Sequence, residues 1–417
     1  MITVDQATER ILAAIHPLPP ERVPLGSALG RVLAEDVVAP FDLPPFANSA
    51  MDGYAVIAED TLRAAAGHPA RLAIVGDISA GASQLPSLLP GQAARITTGA
   101  PLPSGADAVV PVEHTSEPRD MAGSPLAASV DVLQPAMPDE YVRLPGMDIS
   151  SGALAIEAGT VLRPAEIGLL AAMGVVSPLV RRQPLAGVLS TGSELVPVDQ
   201  PLATGRIHDS NGPALAAAVL AAGGQVLSLG IAPDDPEIVA SALDRGVQQG
   251  VDLLVTSAGV SVGARDYVRA AVERYGSIEF WQVNMRPGKP VAWGYYRGVP
   301  FFGLPGNPVS AQVGFEIFVR PALRRMAGTR ALRPGRFPVR MLLAADSDGR
   351  ESYLRAVVRQ AEDGFVAELT GEQGSGVSSS MVRANALVIV PAGRMHVQAG
   401  SALEAMPLAN FWEHASG

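Results

Sequence analysis

Between residues 183 and 328, short apolar runs alternate with helical stretches, and this constrains the fold more than any other feature. Runs at 185–189, 225–229 and 253–256 precede helical patterns at 213–222, 236–248 and 266–275. Further runs follow at 278–283, 291–295 and 301–304, then a helical pattern over 308–326. Such alternation implies a mostly parallel sheet with helices on both faces. Residues 185–189 and 253–256 are almost wholly apolar, as strands covered on both faces require.

The flanks read differently. Thr3 and Gln6 form a capping-box pattern, and Val4, Ala7, Ile11 and Ile15 follow at helical spacing. This predicts a first helix ending near His16, followed by strands at 22–25 and 32–38. From 46 to 145, strands at 71–75, 93–97, 108–112 and 130–133 are separated by Gly, Pro and Ser, with one short helix near 59–66. Residues 117–129 lack apolar bulk and read as an exposed loop. Residues 160–180 hold a strand, a helix at 164–173 and a strand, too little to bury a core alone. Residues 333–410 are again strands with Gly turns. The expected fold class is a multidomain α/β protein of four parts. They are a discontinuous linking domain (1–45 and 146–181), an inserted β domain (46–145), an α/β domain (182–328) and a C-terminal β domain (329–417).

Composition excludes several functions. A length of 417 residues exceeds one compact core. A formal charge of −10 argues against nucleic acid as the main partner, while a local pocket can still take a small anion. The absence of Cys removes disulfides, thiolate metal sites and a Cys nucleophile. The six His show no metal-ligand pairing. Asp5 and Glu9 argue against a secretory signal, and Gly223-Gly224 breaks the longest charge-free run. A cytoplasmic protein without membrane contact is expected.

Three polar turns follow strands of the α/β region. They are Ser190-Thr191-Gly192-Ser193-Glu194, Ser257-Ala258-Gly259-Val260-Ser261-Val262-Gly263 and Leu304-Pro305-Gly306-Asn307-Pro308. In a parallel sheet these turns share one edge, where ligands bind, and free amides at helix starts attract phosphate. None matches a P-loop, so ordinary ATP hydrolysis is not expected. Asn307 and Asn211 each precede a Pro, which also suits a plain helix cap. Arg286-Pro287-Gly288-Lys289-Pro290 reads either as a solvated loop or as a rigid oxyanion clamp. Glu194, Asp234, Asp235 and Asp266 crowd the same region; Asp234 and Asp266 also suit helix caps, but acids near a phosphate site favour Mg²⁺. Asp52-Gly53 is a local turn signal.

Taken together, these segments resemble the MoeA family of molybdopterin molybdenumtransferases, shared with the gephyrin E domain. The resemblance rests on residues 45–55, on Thr98-Gly99-Ala100-Pro101-Leu102-Pro103 with residues 105–110, and on 190–195, 209–211, 259–266, 287–290 and 303–311 in order. It covers nearly the whole chain. Three positions depart from the usual pattern: Ala47, Ala258 for a Gly, and Arg286 for a Lys. The two alanines are small and should be tolerated, while Arg286 keeps charge but changes geometry.

The resemblance implies an α/β domain similar to molybdopterin adenylyltransferase. It implies an elongated homodimer with an inter-subunit active site, and an adenylyltransferase as upstream partner. The implied reaction inserts molybdate into adenylated molybdopterin with release of AMP and help from Mg²⁺. By motif position, Asp52 and Thr98 would reach the site from the partner subunit. Glu194, Asp234 and Asp266 would be its acids, with Glu194 and Asp266 on the metal. Thr191, Gly192, Ser193, Asn211, Ser257, Gly259, Ser261, Gly263, Pro305, Gly306, Asn307 and Pro308 would line the substrate pocket. Arg286, Lys289, Arg355 and Ser375 would hold molybdate or phosphate. The rival readings are a molybdopterin adenylyltransferase, which would lack the β insert, and a non-catalytic scaffold.

Overall fold

The computed structural model describes residues 1–117, 125–259, 267–409 and 411. They divide into two compact units. One comprises Met1–Glu35, Gly159–Ile167 and Ser177–Gly417; the other comprises Asp36–Ala158 and Gly168–Val176.

The first unit opens with helix α1 (Val4–Ala14). Both halves of its capping box form: the Gln6 N–H donates to Thr3 Oγ1 (3.2 Å), and the Thr3 N–H donates to Gln6 Oε1 (3.1 Å). Such a cap is worth about 1 kcal/mol. Val4, Ala7, Ile11 and Ile15 are buried in the core that holds Phe315 and Phe318.

The second unit carries a five-stranded sheet of β1 (Gly53–Val56), β2 (Ala70–Ile78), β3 (Gln92–Ile96), β4 (Ala108–Pro111) and β5 (Ser129–Val132). The order is β4-β1-β3-β2-β5, antiparallel except for β2 with β3. The expected helix near 59–66 is a single 3₁₀ turn, Ala58–Thr61. Residues 118–124 of the expected loop lie outside the described residues.

The α/β part of the first unit follows the sequence alternation. Strand β6 (Leu185–Thr191) leads to α2 (Asn211–Ala221), β7 (Gln225–Ala232) to α3 (Pro236–Gln248), and β8 (Leu253–Ser257) to α4 (Tyr267–Tyr275). Then come β9 (Gly276–Gln282), β10 (Pro290–Tyr296), β11 (Val299–Leu304) and α5 (Pro308–Gly314). The sheet order is β7-β6-β8-β11-β10-β9. The first four strands are parallel, and β10 and β9 run antiparallel. The helix expected over 308–326 is interrupted by a π turn, Phe315–Val319, before α6 (Arg320–Met326). Pro321 explains the break, since it has no N–H to donate to the preceding turn.

The C-terminal strands β12 (Phe337–Met341), β13 (Glu351–Ala361), β14 (Gly364–Leu369), β15 (Ala386–Val390) and β16 (Ala402–Pro407) pair in a closed ring. Closure leaves no free edge among them. Met285–Arg286 adds to β13 in parallel, which ties the Arg286 loop to this barrel. The strand expected at 22–25 is displaced: Pro20–Arg22 pairs with Leu179–Arg181, and Leu25–Ser27 is a 3₁₀ turn. Among the described residues, no helix is long and apolar enough to cross a membrane.

Candidate functional site

Register brings the three turns together. Ser190 of β6 lies opposite Ser257 of β8, and Ser257 lies opposite Leu304 of β11. All three parallel strands therefore end at one level, and their turns are neighbours. Strand β10 is antiparallel, so its first residue, Pro290, sits at that same edge with Lys289 just before it. One cavity of about 470 Å³ lies there, lined by Thr191, Glu194, Asn211, Ser257, Gly259, Pro290 and Pro305–Pro308.

Asn211 ties the turns to one another. Its Nδ2 donates to Ser257 Oγ and to the Gly306 carbonyl, both at 2.7 Å. Thr191 Oγ1 donates to the Ser257 carbonyl (3.1 Å). The capping role that the sequence allowed for Asn211 is not the one it plays: Ser210 precedes the helix, and Asn211 is its first residue. Among the described residues, Asn211 Oδ1 and Ser190 Oγ are buried without hydrogen-bond partners. Such groups are rare in folded proteins and mark places where a ligand or water is bound. Asn307 does occupy the cap position of α5, yet its side chain caps nothing. Its Nδ2 donates instead to Ser375 Oγ (2.8 Å), and the Ser375 carbonyl accepts from the Val309 N–H (3.1 Å). Ser375 therefore comes from the barrel to the start of α5.

The acids separate. Glu194 lines the cavity and is exposed. Asp235, not Asp234, caps α3 by accepting from the Glu237 and Ile238 N–H groups. Asp234 and Ser193 bond reciprocally: Oδ2 accepts from the Ser193 N–H (3.2 Å), and the Asp234 N–H donates to Ser193 Oγ (3.0 Å). Ser193 and Gly192 line an adjoining groove rather than this cavity. Among the described residues, no three His, Cys, Asp or Glu side chains gather as a metal site. The expected convergence of carboxylates is thus limited to Glu194 here, with Asp209 held on the Gly212 N–H (2.9 Å). Ser261, Gly263 and Asp266 lie outside the described residues.

The cations are arranged in depth. Lys289 is exposed and makes no ion pair or hydrogen bond through its side chain among the described residues. Arg286, three residues earlier, is half-buried. Arg355 was expected as an anion contact, but it is 1% exposed and serves the protein. Its Nε donates to Ser380 Oγ (3.1 Å) and its Nη2 to the Gly374 carbonyl (3.0 Å), so it braces the segment that presents Ser375. Burial, with the nearby charge of Arg286, pushes the Arg355 guanidinium down to about 10. One signal escaped the sequence reading: of 31 basic residues, Lys289 is the sole lysine.

Asp52 and Thr98 lie in the second unit and are partners there. Asp52 Oδ1 accepts from the Thr98 N–H (2.6 Å) and hydroxyl (2.9 Å).

Ala258 has φ +72°, in the left-handed region. A side chain there costs about 1 kcal/mol. Ala258→Gly should therefore raise stability by about 1 kcal/mol, measured by denaturant unfolding. A Cβ added at Gly306 would stand 3.1 Å from that of Ala258. Gly306→Ala should accordingly be less harmful in the Ala258→Gly background, a coupling that a double-mutant cycle measures.

Comparison with known proteins agrees with this arrangement. The chain matches the MoeA N-terminal region (domain I and II) over residues 2–174 and a probable molybdopterin binding domain over 187–325. It matches the MoeA C-terminal region (domain IV) over 339–408. It is 40% identical to molybdopterin molybdenumtransferase 2 of Mycobacterium tuberculosis, covering 93% of this chain and 95% of that one. It is 33% identical to the molybdopterin molybdenumtransferase of Haemophilus influenzae, with 98% of each covered. A crystal structure of a molybdopterin biosynthesis MoeA protein from Pyrococcus horikoshii superposes with a TM-score of 0.80 at 33% identity, covering 98% of this chain and 99% of that one. The chain belongs to the MoeA family.

Proposed function

We propose that this protein is a molybdopterin molybdenumtransferase, which inserts molybdate into adenylated molybdopterin and releases AMP. The observation that carries the reading is the shared sheet edge, where the three turns and Asn211 line one cavity together with Pro290, the residue that follows the only lysine. Both substrates are anionic. Lys289, with Arg286 three residues earlier in the same loop, supplies positive charge for molybdate. Cleavage of the pyrophosphate requires positioning and charge neutralisation more than a protein nucleophile. The lack of Cys fits, because the substrate brings its own dithiolene sulfurs.

The donor set fits Mg²⁺ bound chiefly through substrate phosphates, since this ion often takes only one or two protein carboxylates. Among the described residues, Glu194 is the carboxylate on the cavity that no hydrogen bond commits elsewhere, and it would hold the ion. Bound there, Mg²⁺ would neutralise charge on the pyrophosphate. We assign the supply of adenylated substrate to an upstream molybdopterin adenylyltransferase, and the reaction to the cytoplasm.

The test is anaerobic turnover of adenylated molybdopterin with molybdate and Mg²⁺, following AMP. Molybdate-dependent AMP release that Glu194→Ala abolishes is the expected result. No release from folded protein that still binds the nucleotide would overturn the reading. We further propose that Asp52 and Thr98 act from the second subunit of a homodimer. Mixing Asp52→Ala with Glu194→Ala subunits should then restore roughly a quarter of wild-type activity, since half the dimers regain one of two sites. No restoration after subunit exchange would sink the inter-subunit arrangement.

A further inference from the structure

A second cavity, of about 430 Å³, lies in the first unit and shares no lining residue with the site above. Four arginines line it: Arg31, Arg181, Arg320 and Arg324. Two of them are neutralised. Arg31 pairs with Glu21, and Arg320 makes a two-pronged bond to Glu316 (2.6 and 2.7 Å). The other two form no ion pair among the described residues, although the Glu316 carboxylate held by Arg320 also acts on Arg324. Among the described residues, Arg181 Nη1 donates only to the Leu18 carbonyl (3.2 Å), and the Arg324 side chain makes no hydrogen bond or ion pair. The cavity thus concentrates two positive charges without an ion-pair partner among the described residues, on a chain whose formal charge is −10.

This arrangement is costly without a ligand. Arg320 and Arg324 are one helical turn apart, where like charges repel. Burial and the charge of Arg320 together hold the Arg324 guanidinium below its ordinary range. Arg31 Nε is buried with no acceptor. The groups are nevertheless held in place: Arg31 Nη2 donates to the Arg181 carbonyl (2.9 Å). The carbonyl end of α2 opposes an anion here, but Arg320 Nη1 takes up the Ala221 carbonyl (3.4 Å). Guanidinium forks match the geometry of phosphate oxygens, and a doubly charged anion would balance the two free cations. Val32, Val161, Leu220 and Ala327 add apolar wall beyond what a bare ion fills.

We propose that this arginine cavity binds a phosphate group, free or as a monoester, at a site separate from the catalytic edge. The test titrates inorganic phosphate and phenyl phosphate into the full chain at constant ionic strength, by calorimetry. Lys289→Ala serves as the background, to silence the catalytic edge. Saturable one-to-one binding is expected there. Arg324→Gln should weaken it at least ~tenfold, the value of a charged hydrogen bond, and Arg181→Gln should do likewise. Arg324→Gln should melt no lower than its parent without phosphate, because it removes a repelled charge and, among the described residues, no side-chain hydrogen bond or ion pair. Tighter binding of phenyl phosphate assigns the apolar wall to a monoester; equal binding assigns the site to inorganic phosphate. No saturable binding in the Lys289→Ala background, or binding that Arg324→Gln leaves unchanged, would overturn the proposal.

Discussion

Lys289→Ala is expected to lower kcat/KM for AMP release by about a thousandfold, or ~4 kcal/mol, with little change in stability. Three observations set that size. Lys289 is exposed, so its removal breaks no packing and should move stability by under ~0.5 kcal/mol. Its side chain has no hydrogen-bond or ion-pair partner among the described residues, so its charge is available to an anion. Pro287, Gly288 and Pro290 fix the loop, and β10 delivers it to the edge where β6, β8 and β11 end. The chain uses arginine at every other basic position, so the compact ammonium at 289 is a departure from its own habit. Lys289→Arg should therefore fail to rescue fully, leaving a loss of about tenfold or more, because a planar fork does not place charge where an ammonium does. A sole lysine also permits a direct binding assay. An amine-reactive reagent should label Lys289 and the chain's α-amino group, and molybdate should protect the former alone. Full activity in Lys289→Ala would remove this residue from the mechanism.

The sequence made the site's edge legible because apolar runs and polar turns are local signals. Ser190, Ser257 and Leu304 could be placed at strand ends without any tertiary information. Direction was not legible: an apolar run such as 291–295 has the same pattern whether it runs parallel or antiparallel, so the position of Lys289 at the edge emerged only from the pairing of β10. Asn211 and Asn307 show the same limit at residue level. Their spacing to proline fits a cap, yet both side chains reach other segments, Ser257 and Gly306 in one case and Ser375 in the other. Arg355 departs from the expectation that a charged residue faces solvent, because it is satisfied internally by Ser380 and Gly374. Asp234 and Asp235 are adjacent acids, and only coordinates decide which one caps α3.

Gly53→Ala is expected to cost ~3 kcal/mol and to unfold the five-stranded sheet first. Asp52-Gly53 reads locally as a turn, but Gly53 is the first residue of β1, paired with Ile96 on one side and Pro111 on the other. A Cβ at this position would stand 2.0 Å from the Val110 carbonyl oxygen and 2.9 Å from Pro111 Cα. Both are backbone atoms of β4, so no side-chain rotation can relieve the clash. Relief requires β1 and β4 to part, which breaks pairing along the whole four-residue strand. Gly67→Ala is the control, since a Cβ there meets nothing within 4 Å and needs no unusual φ. Equal melting of the two variants would refute the argument, and hydrogen exchange should locate the Gly53→Ala defect at residues 53–56 and 108–111. The defect has a functional consequence. Asp52 hangs from the start of β1, and its bonds from the Thr98 N–H and hydroxyl depend on β1 and β3 holding register. Gly53→Ala should thus remove activity by dismantling the Asp52–Thr98 pair, whereas Asp52→Asn should remove it while the sheet stays folded. Loss of activity with intact exchange protection in Asp52→Asn would assign the glycine to architecture and the aspartate to chemistry.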